Sequence, residues 1–292
     1  MEQRLLGIRR CRVPPRGLSF VWLSEALALL DYKREGTVTS TSRRHFAAGI
    51  AGMAILGPLL QPRSVSAQEP DLVTLRTPSG RHVTAYLSVP TTVPAPAVIL
   101  LHGSYGLTEA FRSRATTYSD QGFVALGVDL FDGKTATTQD QARSLAGRAN
   151  ASPEHPTETL VAWIDWLKAD PRTTKKIAAI GWSFGAKWAL IASSVASLDA
   201  TVLYYGGTDF LGIDLKGLKA PVLGHFGERD TDPRPKSVKG FAARMAKEGK
   251  AIDVRWYDAD HAFDAPMFPT FDKAAAEASR QETVKFLRAN LD

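Results

Sequence analysis

Gly181-Trp182-Ser183-Phe184-Gly185 places a serine between two glycines, directly after the apolar run Ile177–Ile180 and before the helix-forming Ala186-Lys187-Trp188-Ala189-Leu190. A GxSxG pattern alone arises often by chance, but at a strand-to-helix turn it marks a nucleophile exposed on a sharp bend. The bend strains the serine backbone, and side chains in place of the flanking glycines would clash. The positive N-terminal end of the following helix lies just behind the hydroxyl. Serine is a weak nucleophile until a base takes its proton, so a histidine must be brought to it. His82 falls in a hairpin, His102 precedes the serine, His155 lies in a polar stretch and His225 lies inside a strand. Only His261 occupies a loop after a late apolar run, in Asp258-Ala259-Asp260-His261-Ala262-Phe263, and it is read as the base. The orienting carboxylate is read as Asp230, in Gly227-Glu228-Arg229-Asp230-Thr231-Asp232, with Asp232 as its rival and Asp209 more remote. Asp230 would hold the imidazole tautomer and stabilise the imidazolium while staying ionised itself.

Acyl transfer also needs donors for the developing oxyanion. Leu101-His102-Gly103-Ser104 follows the apolar run Ala97–Leu101, and the backbone N–H groups of Ser104 and Phe184 are assigned to that hole. Losing one such donor typically costs about 10²–10³ in turnover. His102 is read as shaping this loop, outside the chemistry. Tyr105, Trp182, Phe131 and Phe263, with Phe184, read equally as an aromatic pocket or as ordinary core. Asp258, Asp260 and His261 crowd together, but neither HExxH nor a paired-histidine spacing occurs, and no glycine-rich phosphate loop is present. No metal and no cofactor are therefore expected. The chemistry these residues imply is cleavage of a small-molecule carboxylic ester through an acyl-enzyme. Amide or peptide cleavage by the same groups is one alternative, and binding without turnover on the same scaffold is another.

These groups must be positioned by a framework, and the remaining sequence supplies one. Leu72–Arg76 and His82–Val89 alternate around Thr77-Pro78-Ser79-Gly80 and predict an antiparallel edge hairpin. Ala97–Leu101, Phe123–Val128, Ile177–Ile180, Thr201–Tyr205, Val222–Phe226 and Asp253–Tyr257 read as buried parallel strands. Helices are expected over 108–121, 157–169, 184–196, 235–248 and 272–290. In the fourth, Val238, Phe241, Ala242 and Met245 make the apolar stripe and Gly249 ends it; in the last, Ala276, Val284 and Leu287 do the packing. Residues 130–156 are polar and rich in Gly, Thr, Ser and Pro, read either as a lid over the site or as a solvated loop. The fold class is α/β, a mostly parallel sheet with an antiparallel N-terminal hairpin and helices on both faces. The chain order Ser183, Asp230, His261 is that of the α/β-hydrolase fold and differs from the chymotrypsin and subtilisin orders.

The 292 residues carry a net charge of +6, and all of that excess lies in residues 1–67. Residues 68–292 balance at zero, so the basic pI gives no footprint for nucleic acid. The single cysteine, Cys11, excludes an internal disulfide framework or a CxxC site. Ser42-Arg43-Arg44-His45-Phe46, the apolar stretch Phe46–Leu60 and Val65-Ser66-Ala67 follow the order of a twin-arginine signal peptide, with Gln68 as the first mature residue. The apolar stretch is shorter than the roughly 20 residues a spanning helix needs. We therefore read 1–67 as an N-terminal extension and signal peptide that is removed, and 68–292 as a single domain. Residues 1–37 are read as an untranslated preface, with initiation at Val38. The expected partner during export is the twin-arginine machinery, and the expected location is the periplasm or the medium.

Along most of residues 68–292 the chain resembles the dienelactone hydrolase family. The resemblance is carried by Tyr105-Gly106-Leu107, by Gln121-Gly122-Phe123-Val124-Ala125 leading to Val128-Asp129-Leu130-Phe131, and by the turn at Ser183. It continues through Phe226-Gly227-Glu228-Arg229-Asp230 and His261-Ala262-Phe263. Three departures stand out. The family's usual nucleophile is cysteine, where this chain has Ser183. Its founding members keep a glutamate in the first loop to control the thiol, where this chain has Gly103, a change consistent with a hydroxyl nucleophile. They also bind the substrate carboxylate with polar and basic residues just after the histidine, where this chain has Ala262 and Ala265.

Overall fold

The computed structural model describes residues 39–40, 70–206 and 213–292. The export signal expected over residues 42–67 lies outside the described residues, as do the 1–37 preface and Asp209. Among the described residues nine strands form one sheet: β1 (Thr39–Ser40), β2 (Asp71–Arg76), β3 (His82–Ser88), β4 (Ala95–Leu101), β5 (Val124–Val128), β6 (Thr173–Trp182), β7 (Ala200–Tyr204), β8 (Val222–Gly227) and β9 (Ile252–Tyr257). Their spatial order is β1-β2-β3-β5-β4-β6-β7-β8-β9. The hairpin β2–β3 and its neighbours pair antiparallel, and from β5 to β9 every pairing is parallel. The helices are α1 (Glu109–Asp120), α2 (Gln139–Ala151), α3 (Glu154–Ala169), α4 (Phe184–Ala196), α5 (Pro235–Lys247) and α6 (Lys273–Leu291).

Burial explains the apolar runs. Along β4, Ile99 and Leu101 join one core with α2 to α5, while Val98 and Leu100 join a second core with α1 and α6. With both faces covered, β4, β5, β7 and β8 have no side left to solvent, and the polar Thr201 and His225 within them are buried with hydrogen-bond partners. β9 departs from the buried run expected over Asp253–Tyr257. Among the described residues it pairs with β8 alone, and it alternates half-buried with exposed residues.

The helix signals work as their chemistry dictates. The Asp272 carboxylate caps α6 by accepting from Ala275 N at 2.9 Å. α5 begins at Pro235, buries Val238, Phe241 and Met245, and stops before Gly249, whose φ of +66° suits glycine. α6 buries Thr283 in place of the expected Val284, because the Thr283 hydroxyl bonds Tyr204 Oη at 2.7 Å and His225 Nε2 at 2.9 Å. The larger correction concerns 130–156, where 130–138 is a loop but 139–151 is a helix rather than part of a continuous solvated loop. Thr138 caps α2 by accepting from Gln141 N, and α3 begins at Glu154 rather than 157. α2 buries only Ala142 and Leu145, so no apolar stripe marks it in the sequence.

β4 has β5 on one side and β6 on the other, so the chain reverses its direction of travel across the sheet there. A crevice opens at the carboxyl ends of the strands at such a point. Leu101 pairs with Gly181 in register, which sets residues 102–104 beside 182–184.

Candidate active site

The turn from β6 into α4 is forced by its glycines. A Cβ on Gly181 would overlap the Gly185 carbonyl, and one on Gly185 would overlap the Leu101 and His102 carbonyls. All of these atoms are backbone and cannot rotate away. Ser183 between them sits at φ 50° and ψ −114°, a region costing a non-glycine residue about 1–3 kcal/mol. Two hydrogen bonds hold it there, Ser183 N to Tyr204 O at 2.9 Å and Ala186 N to Ser183 O at 3.0 Å. Two further non-glycine residues with positive φ, Tyr205 at 35° and Ala262 at 59°, adjoin the same crevice. The half-buried hydroxyl faces that crevice.

Ser183 Oγ lies 3.1 Å from His261 Nε2, and His261 Nδ1 lies 2.9 Å from Asp230 Oδ2. A carboxylate can only accept, so Nδ1 carries the proton and Nε2 is left to take one from the serine. The Asp230 side chain is fully buried, and its other oxygen accepts from Asp232 N at 2.8 Å. Asp232 itself is exposed, so of the two acids only Asp230 is placed to orient the imidazole.

The N–H groups of Ser104 and Phe184, at the ends of adjacent strands, meet no hydrogen-bond acceptor among the described residues. They border the same cavity, of about 900 Å³, as Ser183, Asp230 and His261. Tyr105 and Trp182 also border it. Phe131 and Phe263 do not: both are buried, Phe131 against the His102 and Phe184 rings and Phe263 against Tyr205 and Tyr257. α2 supplies one wall through Ala142, Ala146, Gly147 and Asn150, and Lys187 Nζ donates to Asn150 Oδ1 at 3.0 Å. Among the described residues no group of three or more His, Cys, Asp or Glu side chains could hold a metal ion.

Three residues around the site were missed in the sequence. Asp264, three residues after the histidine, is buried and ties together elements that flank Ser183 and His261. Arg114 Nη1 from α1 lies 2.5 Å from its Oδ2, Arg114 Nη2 donates to its carbonyl at 2.7 Å, and Trp182 Nε1 donates to Oδ2 at 2.9 Å. Arg280 stands 3.6 Å from the other carboxylate oxygen, and the Arg114 guanidinium stacks 4.6 Å over the Trp182 ring. The residue before Ser183 is thus joined to the loop that carries His261. Burial opposes the Arg114 charge, but the adjacent carboxylate outweighs it and raises the pKa above the ordinary arginine value. Tyr205 packs edge-on against the imidazole with ring centres 5.1 Å apart, and burial pushes its phenol well above the usual range, so it stays neutral. The one signal for Asp264 was a charged residue in the otherwise apolar Ala262–Phe268; Arg114 and Tyr205 carried none.

The profile of the dienelactone hydrolase family matches residues 83–291. Carboxymethylenebutenolidase 1 of Cupriavidus pinatubonensis is 24% identical, over 74% of this chain and 96% of its own. A putative carboxymethylenebutenolidase of Escherichia coli is 26% identical, over 67% and 77%. Among solved structures, a dienelactone hydrolase-like promiscuous phosphotriesterase from metagenomic libraries superposes with a TM-score of 0.70 at 22% identity, covering 77% of this chain and all (100%) of its own. At these identities the structural likeness speaks for the fold.

Proposed function

The chain belongs to the dienelactone hydrolase family, and on that premise we propose that it hydrolyses carboxylic esters through an acyl-enzyme on Ser183. The observation that carries this reading is the unbroken relay from Ser183 Oγ through His261 to the buried Asp230, at 3.1 Å and 2.9 Å, bordering an open cavity. In the forward step Ser183 Oγ attacks the ester carbonyl while His261 Nε2 takes its proton, and Asp230 stabilises the imidazolium. The N–H groups of Ser104 and Phe184 receive the negative oxygen of the tetrahedral intermediate. As the intermediate collapses, His261 returns the proton to the leaving alcohol. Water then attacks the acyl carbonyl while His261 takes its proton, and as the acid leaves, His261 returns that proton to Ser183 Oγ.

Lactones are cyclic esters, so the names carried by the relatives fit the same chemistry. With alanines at 262 and 265 where dienelactone hydrolases hold the substrate carboxylate, we place the substrate among other esters. We further propose export by the twin-arginine route, on the strength of Arg43-Arg44 and the segment that follows. Cell fractionation of a strain carrying Arg43→Lys/Arg44→Lys tests this, and unchanged appearance outside the cytoplasm would remove it.

Fluorophosphonate labelling of the wild type and of Ser183→Ala, beside turnover of a graded series of p-nitrophenyl esters and anilides, tests the reaction. Labelling confined to the wild type with ester turnover is expected. Anilide turnover alone would make the protein an amidase, and an unlabelled, inactive wild type would make it a binding protein.

A further inference from the structure

His102 is the first residue after β4, and no part of it reaches solvent. Its two ring nitrogens are both engaged. Leu130 N lies 3.1 Å from Nε2, and a backbone amide can only donate, so Nε2 accepts and carries no proton. The proton is then on Nδ1, which donates to Gly103 O at 2.7 Å, an oxygen that also accepts from Gly106 N at 3.1 Å. The tautomer is set by the backbone on either side of the ring.

The partners are themselves held in place. Asp129 accepts from Phe131 N at 2.8 Å and from Gly133 N, which fixes the turn that presents Leu130 N to the ring. Phe131 packs edge-on to the imidazole, and Phe184 lies nearly parallel to it, at 17° with ring centres 6.2 Å apart. Burial keeps the His102 pKa below its usual value in spite of the Gly103 bond and the nearby Asp129, so the ring stays neutral and keeps its acceptor.

In a trans peptide the C=O of one residue and the N–H of the next point in opposite directions. Drawing Gly103 O towards His102 therefore turns Ser104 N–H the other way. Gly103 packs against the nucleophile turn, where a Cβ on it would lie 3.9 Å from Ser183 Cβ. We propose that His102 is a positioning residue for the oxyanion hole, its Nδ1–H holding the Gly103–Ser104 peptide so that Ser104 N–H meets the negative oxygen formed when Ser183 attacks. This rests on the serine-ester reading above and adds to it the residue that sets one of its two donors.

The test compares His102→Phe, His102→Leu, His102→Asn and His102→Gln with wild type in the full chain, using p-nitrophenyl esters and a boronic acid that mimics the tetrahedral intermediate. Phenylalanine keeps a planar ring and makes neither hydrogen bond. Asparagine places its amide nitrogen where Nδ1 stands, so it can keep the donation to Gly103 O, but it is too short to reach Leu130 N. Glutamine has the same pair at about the right reach. His102→Phe is expected to lower kcat by about 10²–10³-fold with KM within about 3-fold, and to weaken boronic acid binding in proportion to kcat. His102→Gln is expected to restore kcat to within about tenfold of wild type. Should His102→Phe fail to fold, His102→Leu is expected to show the same split, with His102→Asn staying within about tenfold of wild type in kcat. An unchanged kcat in His102→Phe or His102→Leu, a loss confined to KM, or a glutamine variant no better than phenylalanine would overturn the proposal. Absence of wild-type turnover and boronic acid binding would instead strike the serine-ester reading.

Discussion

Replacing Asp264 by asparagine removes one negative charge and leaves the shape of the side chain almost unchanged. The amide oxygen can still accept from Trp182 Nε1 and from Arg114, so two of the hydrogen bonds survive. The counter-charge for Arg114, and for Arg280 at 3.6 Å, does not. Breaking a buried ion pair by removing one partner costs about 3–5 kcal/mol. The Arg114 side chain is 19% exposed and Arg280 43%, so both cations recover part of their hydration. The low end of the range applies, roughly 3 kcal/mol. For a domain of 150–250 residues each kcal/mol shifts Tm by about 2–4 °C, so a fall of roughly 6–12 °C is expected in thermal unfolding followed by circular dichroism. Arg114→Gln made in the Asp264→Asn background leaves no unpaired cation at that position and should recover part of the loss. A Tm within about 2 °C of wild type for Asp264→Asn, or strict additivity in the double variant, would show that the charge pair does not hold these elements together.

Ser183→Ala should lower turnover by roughly 10⁴–10⁶ and Asp230→Asn by about 10⁴, with the folded state intact by circular dichroism; a larger loss in Asp232→Asn would reassign the acid. Burial, with Arg255 adding, lowers the His225 pKa to about 3, below the roughly 6.5 of an unfolded chain, so the unfolded state takes up a proton that the folded state excludes. Its stabilising effect is complete above about pH 6.5 and is lost towards pH 3 at about 1.4 kcal/mol per unit, so Tm of the wild type should fall more steeply between about pH 6 and 4 than Tm of His225→Gln. Equal slopes would remove His225 from the acid response. Gly185→Ala should destabilise by about 3 kcal/mol or more in denaturant titration, since the added carbon meets backbone carbonyls, while Gly147→Ala, which meets nothing within 4 Å, should be neutral or stabilising by up to about 1 kcal/mol.

Where burial on both sheet faces dictates residue type, the elements could be read from the sequence to within a few positions, as β4, β7 and α4 show. The strand-to-helix placement of Gly181–Gly185 was legible for the same reason, since each glycine answers to a backbone contact. The pairing of His261 with Asp230 followed from chain order and loop position, and the choice over Asp232 is decided by burial, which a linear sequence does not display. α2 escaped because a helix with two buried residues has no stripe to detect. Arg114 and Asp264 escaped because they meet across 150 residues of chain. Thr283 replaced Val284 in the core because a buried histidine and a buried tyrosine needed a hydroxyl between them.

The placement of α2 separates two properties that enzymes often entangle. The atoms that would break a bond are carried on the ends of sheet strands and on loops pinned by buried carboxylates, whereas one face of the chamber is a short surface helix whose inward side sets two alanines and a glycine among Gln139, Arg143 and Asn150. Methyl-sized changes on that helix alter how long or wide a molecule the chamber admits without passing through the strained turn. Substrate range in this protein can therefore drift, or be engineered, along α2 while the reacting groups stay as they are.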